Sequence, residues 1–156
     1  MSQSYIDQKI MENLYLRSME DNDWFVTVTA SGLLEEMEIL LEQGVDIDIF
    51  NKNGTNGLLG TSCRGNISTM KFLLENGANS NIQNDKGWTP LIYASISGNI
   101  EGVQLLLEYG ADPNIQNNEG NTALSYAILG RDDSRIHQGT TRENYIAIIG
   151  MLQKCT

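Results

Sequence analysis

Asn84-Asp85-Lys86-Gly87-Trp88-Thr89-Pro90-Leu91-Ile92-Tyr93-Ala94 holds a turn and a helix start side by side. Gly87 supplies the backbone freedom of a tight turn, Thr89 can cap a helix, and Pro90 suits a first helical turn, where no backbone donor is needed. A helix is expected through Leu91, Ala94 and Ser95, ending at Gly98. A second is expected from Asn99 to about Tyr109, because Ile100, Val103, Leu106 and Leu107 share one helical face. Gly110 ends it, and Ala111-Asp112-Pro113-Asn114 leads out in an extended segment.

Outward from this unit the chain repeats itself at a step of 33 residues. Gly54, Gly87 and Gly120 form one ladder; Gly32, Gly65 and Gly98 form a second; Gly44, Gly77 and Gly110 form a third. A fixed period of this length means stacked supersecondary units, none able to bury its apolar face alone. The apolar pattern of the second helix returns as Leu34, Met37, Leu40, Leu41 and as Ile67, Met70, Leu73, Leu74. Its last appearance is Tyr145, Ile148, Met151, Leu152, displaced by 45 residues instead of 33. Twelve extra residues must lie between the helices of the final unit, and the polar run Arg131–Arg142 is read as that loop insertion. Tyr5 to about Arg17 stands outside the ladder. Ser4 with Asp7 suggests a capping box, and Ile6, Ile10 and Leu14 share a face, so this segment is expected to be a helix covering the N-terminal end of the stack.

The run from Gly87 to Ala94, with Gly98-Asn99 and Leu105-Leu106-Leu107-Glu108-Tyr109-Gly110-Ala111-Asp112-Pro113-Asn114, closely resembles the ankyrin repeat. Ile92 stands where that family usually has histidine. Neighbouring units match in register: Gly54-Thr55-Asn56-Gly57-Leu58 and Gly120-Asn121-Thr122-Ala123-Leu124, with Asp21-Asn22-Asp23-Trp24-Phe25 keeping only the general shape. The resemblance covers about residues 18–156. It implies an all-α solenoid of about four helix-pair repeats (18–50, 51–83, 84–116 and 117–156) behind an N-terminal cap at 1–17. Antiparallel helix pairs would stack in a row, with β-hairpin-like loops projecting from one side. It also implies protein binding by the loop tips and first helices on the concave side.

Composition bounds the partner. The formal charge of −10 is distributed as −9 over residues 1–50, −2 over 51–130 and +1 over 131–156. An acidic field of this kind repels nucleic acid and anionic membranes and steers basic partners. Cys63 and Cys155 are too few for a disulfide framework and read as reduced thiols. The opening residues lack the basic-then-apolar pattern of a signal peptide, and no apolar stretch is long enough for a membrane helix, so a cytoplasmic protein, monomeric when free, is expected.

Catalytic chemistry has little to stand on. His137 is the single histidine, in a polar run, and Asp132, Asp133 and Arg135 beside it lack both a phosphate-binding glycine loop and metal-ligand spacing. No enzyme activity, metal or cofactor is expected. An enzyme built on the 131–142 insertion is the weaker alternative, and a purely structural spacer a third. Cys63, with Arg64 beside it, reads as a small residue filling a packed turn. Glu35, Glu36, Glu38 and Glu42 form an acidic helix surface that is either solvated charge or a contact for a basic partner.

The resemblance carries the binding positions onto Lys52, Asn53 and Thr55, then Asp85, Lys86 and Trp88, then Asn118, Glu119 and Asn121. Ala30-Ser31, Cys63-Arg64 and Ile96-Ser97 would line the same side. Trp88 is the expected hot spot, and with Phe50 it would form an aromatic patch if both rings face solvent. The function expected is a non-enzymatic module that binds a protein partner and acts by occupancy. An inhibitor or toxin-neutralising immunity protein is compatible with this, as is an adaptor or host-directed effector.

Overall fold

The computed structural model describes residues 21–132 and 141–155. Eight helices alternate with loops, and no strand occurs among the described residues: α1 Asp21–Ser31, α2 Leu34–Glu42, α3 Gly57–Arg64, α4 Ile67–Glu75, α5 Pro90–Ile96, α6 Ile100–Glu108, α7 Ala123–Asp132 and α8 Arg142–Cys155. The expected N-terminal cap and His137 lie outside the described residues, as do Asp133 and Arg135.

The helix starts follow their capping residues. Asn56, Asn66, Thr89 and Asn99 each accept a bond from the backbone N–H three residues on, which satisfies a donor the helix cannot. All nine glycines of the three ladders take positive φ. Their role is sharpest at Gly87, at φ +75°, where a Cβ would also lie 2.7 Å from Asn118 Oδ1.

Two rows of helices result. The first helices α1, α3, α5 and α7 pack on one another in order, and α4, α6 and α8 form the second row. The core runs between the rows: Met37, Met70, Val103 and Ile148 are fully buried, as are Leu73 and Leu106. The last second-row helix, displaced by 45 residues in sequence, packs on α7 and α6. The ends of that pattern differ from the sequence reading in three places. Leu34 is 37% exposed, since α2 packs chiefly on α1, whereas Ile67 and Ile100 at the matching positions pack against the core. Leu107 is only partly buried, while Leu74 and Leu106 are buried. On α8 the fully buried position near the C-terminus is Leu152, and Met151 lies at the edge of the core.

The insertion is also shorter than its sequence limits. Arg131 and Asp132 continue α7, and Arg142 opens α8, so these three are helical and not loop. Arg131 donates from Nε to Asp132 Oδ1 at 2.7 Å within the last turn. Tyr145 explains how α7 and α8 meet. Its ring lies directly against Gly130, where no side chain would fit, and its hydroxyl donates to Ile96 O at 2.9 Å.

Adjacent repeats are stitched outside the core as well. Asp46, Asn79 and Asp112 each accept a bond from the backbone N–H two residues on. Asp48 then accepts from Asn79 N, and Asn81 from Asp112 N, so the first repeat is tied to the second and the second to the third at the same step of the ladder.

Candidate functional site

The three loop tips share one backbone design. At Asn51–Thr55, Asn84–Trp88 and Asn117–Asn121 the asparagine side-chain oxygen accepts from the N–H groups two and four residues on, at 2.9–3.0 Å. The asparagine N–H donates back to the carbonyl four residues on, and the glycine N–H donates to the asparagine carbonyl. An asparagine that mimics a backbone turn in this way fixes the tip without help from the rest of the fold.

Side chains between the fixed points are presented outward. Lys52, Asn53, Asp85, Lys86, Asn118 and Glu119 are exposed, whereas Thr55 and Asn121 are half-buried. The last two tips are bonded to each other: Asn118 N donates to Lys86 O at 3.0 Å, Asn118 Nδ2 to Asp85 O at 2.9 Å, and Gln83 Nε2 to Gln116 O at 3.3 Å. The Asn51–Thr55 tip is tied instead to α1. Lys52 Nζ lies 2.8 Å from Asp23 Oδ2, and Lys52 N donates to Asp23 Oδ1 at 3.1 Å. These bonds to Lys52 hold the Asp23 carboxyl below its ordinary range.

Trp88 is placed differently from a projecting hot spot. Its ring is half-buried, 5.2 Å from the Tyr93 ring and 4.9 Å from the Tyr126 ring, both tilted. Such contacts favour packing between tip and helix over exposure to solvent. Phe50 is also half-buried, so the two do not form an exposed aromatic patch. Each tyrosine in turn meets the asparagine of its own tip: Asn84 Nδ2 donates to the Tyr93 hydroxyl at 3.3 Å and Asn117 Nδ2 to the Tyr126 hydroxyl at 3.0 Å. Burial raises the Tyr93 phenol, opposed by the Asn84 bond.

The first-helix ends border the same face. Arg64 is exposed and has no ion pair among the described residues; Ala30 and Ile96 are half-buried. Ser97 Oγ donates to Cys63 O at 3.1 Å, linking α5 to α3. Cys63 is exposed, so it does not fill a packed turn; the ends of these helices open onto the face rather than into the core. The acidic residues of α2 stand elsewhere. Glu35, Glu38 and Glu42 are exposed on a second helix of the pair, away from the tips.

A cleft of about 650 Å³ opens between α1, α3 and the Asn51–Thr55 tip. It is bordered by Thr27, Ser31, Asn51, Gly60, Arg64 and Tyr93, among others. Sequence reasoning passed over Gly60 because it belongs to none of the glycine ladders. The signal was nonetheless present, since positions 27, 60, 93 and 126 lie on one 33-residue step and read Thr, Gly, Tyr, Tyr.

Repeats, paired helices and bonded tips together define an ankyrin solenoid. The family model described as ankyrin repeats (three copies) matches residues 25–117 and 63–135, and the chain belongs to that family. Ankyrin repeats are in general non-enzymatic protein-interaction modules. A search of curated proteins finds no match. No described helix is long and apolar enough to cross a membrane.

Proposed function

We propose that the face made by the three tips and the first-helix ends binds a protein partner, and that the chain acts by occupying that partner. The observation that carries this reading is the set of tips, each fixed by its own asparagine and the last two fixed to each other. A surface ordered before encounter loses little freedom on binding, so its contacts are expressed as affinity. Lys52, Asn53, Asp85, Lys86, Asn118 and Glu119 are the contacts, with Arg64 and Ile96 beside them. Thr55, Asn121, Trp88 and Phe50 support the tips from behind.

An acidic chain acting by occupancy suits inhibition of a basic partner, of the kind a toxin-neutralising immunity protein provides. The charge of −9 over residues 1–50 supports this reading. The carboxylates of α2 would steer a basic partner towards the face without touching it. A photo-crosslinking amino acid placed in the native cell at Asn53 and at Lys86 should capture one protein. The same group at Lys71 and Gln104, exposed on the second row, should not. Capture from the second row alone would defeat the placement. Association that does not slow with added salt would defeat the basic partner.

A further inference from the structure

The first-helix row carries a column of side chains that face the tips, at positions 27, 60, 93 and 126. In the last two repeats the column is filled by tyrosine, and each phenol is bonded to the amide of its tip asparagine. In the second repeat the same asparagine exists: Asn51 makes the same turn, with its oxygen accepting from Asn53 and Thr55. Gly60 leaves the ring out. A Cβ at Gly60 would make ordinary van der Waals contact with Arg64 Nη1 at 3.5 Å and Thr55 Cγ2 at 3.6 Å without a clash, and the open volume is that of the cleft Gly60 lines.

Two further features bear on what fits there. Tyr93 forms one wall of the cleft, a ring against which a second ring can pack. Among the described residues Arg64 is the single charged one lining it, and its guanidinium has no ion pair there. A cation complements the electron-rich face of an aromatic ring.

We infer that the cleft at Gly60 receives a tyrosine side chain of the protein partner, which takes the place that Tyr93 and Tyr126 fill in their own repeats. The incoming ring lies between Arg64 and Tyr93, with its hydroxyl towards the Asn51 amide. This rests on the reading of the tip face as the protein-binding surface and adds to it the side chain that enters.

The test uses the full chain and N-acetyl-tyrosinamide as probe, followed by amide shifts in two-dimensional NMR. Saturable shifts are expected at Thr27, Asn51, Gly60 and Arg64, several-fold weaker with N-acetyl-leucinamide. Gly60→Tyr, which supplies the missing ring from within, should fold with an undiminished melting temperature and lose the response. Arg64→Ala, at an exposed position, should weaken it several-fold. An equal response to leucinamide, no saturation, or shifts unchanged in both variants would overturn the inference. A peptide selected on the immobilised chain from a random library tells this failure from that of the wider reading. Shifts at Lys86 and Asn118 without an aromatic residue at Gly60 overturn the cleft alone. Shifts confined to the second row overturn both.

Discussion

The tips at Asn51–Thr55 and Asn117–Asn121 have the same turn and opposite surroundings. Asn117 is buried, its amide bonded to Tyr126 and its tip cross-linked to the preceding one through Asn118. Asn51 is half-buried, faces Gly60 where a tyrosine would stand, and its tip is held sideways by an exposed ion pair to Asp23. Local sequence makes the turn in both. What differs is whether a packed wall stands behind it, and that is decided nine residues on, in the first helix of the same repeat.

The largest effect should show that this contrast does not reach the core. Leu73 and Leu106 occupy matching positions in the second row and are both fully buried. Replacing either by alanine should cost about 2–5 kcal/mol, measured by urea unfolding, with similar values for the two. Unequal losses would mean that the repeats differ in their packing as well as at their tips.

Glycine substitutions test the tips directly. Gly54→Ala and Gly87→Ala both force a side chain into left-handed backbone, a cost of about 1–2 kcal/mol. At Gly54 the nearest atom to the new Cβ is Asp85 Oδ2 at 3.8 Å, whereas at Gly87 Asn118 Oδ1 lies at 2.7 Å and Asn117 Cα at 3.0 Å. Gly87→Ala should therefore be the more destabilising, by thermal melting. Equal shifts would show that the cross-linked pair of tips yields more easily than its bonds suggest.

Asparagine truncation is next in size. Asn117→Ala removes three bonds from a buried side chain and should cost about 1–3 kcal/mol; Asn51→Ala removes two at a half-exposed site and should cost less. Urea midpoints of the two variants decide the order.

The stack was legible because its signals are local or periodic. Nine glycines at one step, capping residues before helices and a repeated apolar face each act within a few residues, and all three ladders take the backbone form they imply. The burial of Trp88 was not legible in the same way. Its neighbours Tyr93 and Tyr126 come from the first helices of its own repeat and of the next, and their meeting depends on how helices stack. Gly60 shows the converse. An isolated glycine inside a helix looks like a small defect until its column is read down the repeats. Leu34 differs because, among the described helices, α2 packs chiefly on α1, whereas α4, α6 and α8 also pack on one another.

The smallest effect concerns the stitching between repeats, where the first and second units again differ by one residue type. Asp48 and Asn81 occupy the same step and accept the same inter-repeat bond, from Asn79 N at 3.1 Å and Asp112 N at 2.7 Å. Asp48 brings a charge to a task that Asn81 performs with an amide. Burial raises the Asp48 carboxyl above its ordinary value, and the neighbouring Asp46 charge adds to this, against the bond from Asn79. The sign follows. Between the unfolded pKa and the higher folded one, the folded chain holds more protons than the unfolded chain, so stability falls as pH rises through that window. The contribution of Asp48 is therefore intact below the unfolded pKa and lost above the folded one. Asp48→Asn keeps an oxygen acceptor, as Asn81 does, and removes the charge. It should raise the melting temperature slightly at neutral pH, with the gain shrinking as pH falls through the acidic range. A variant less stable than the parent at neutral pH would mean that the Asn79 bond depends on the charge of its acceptor. The two stitches would then be unlike in strength, not only in residue type.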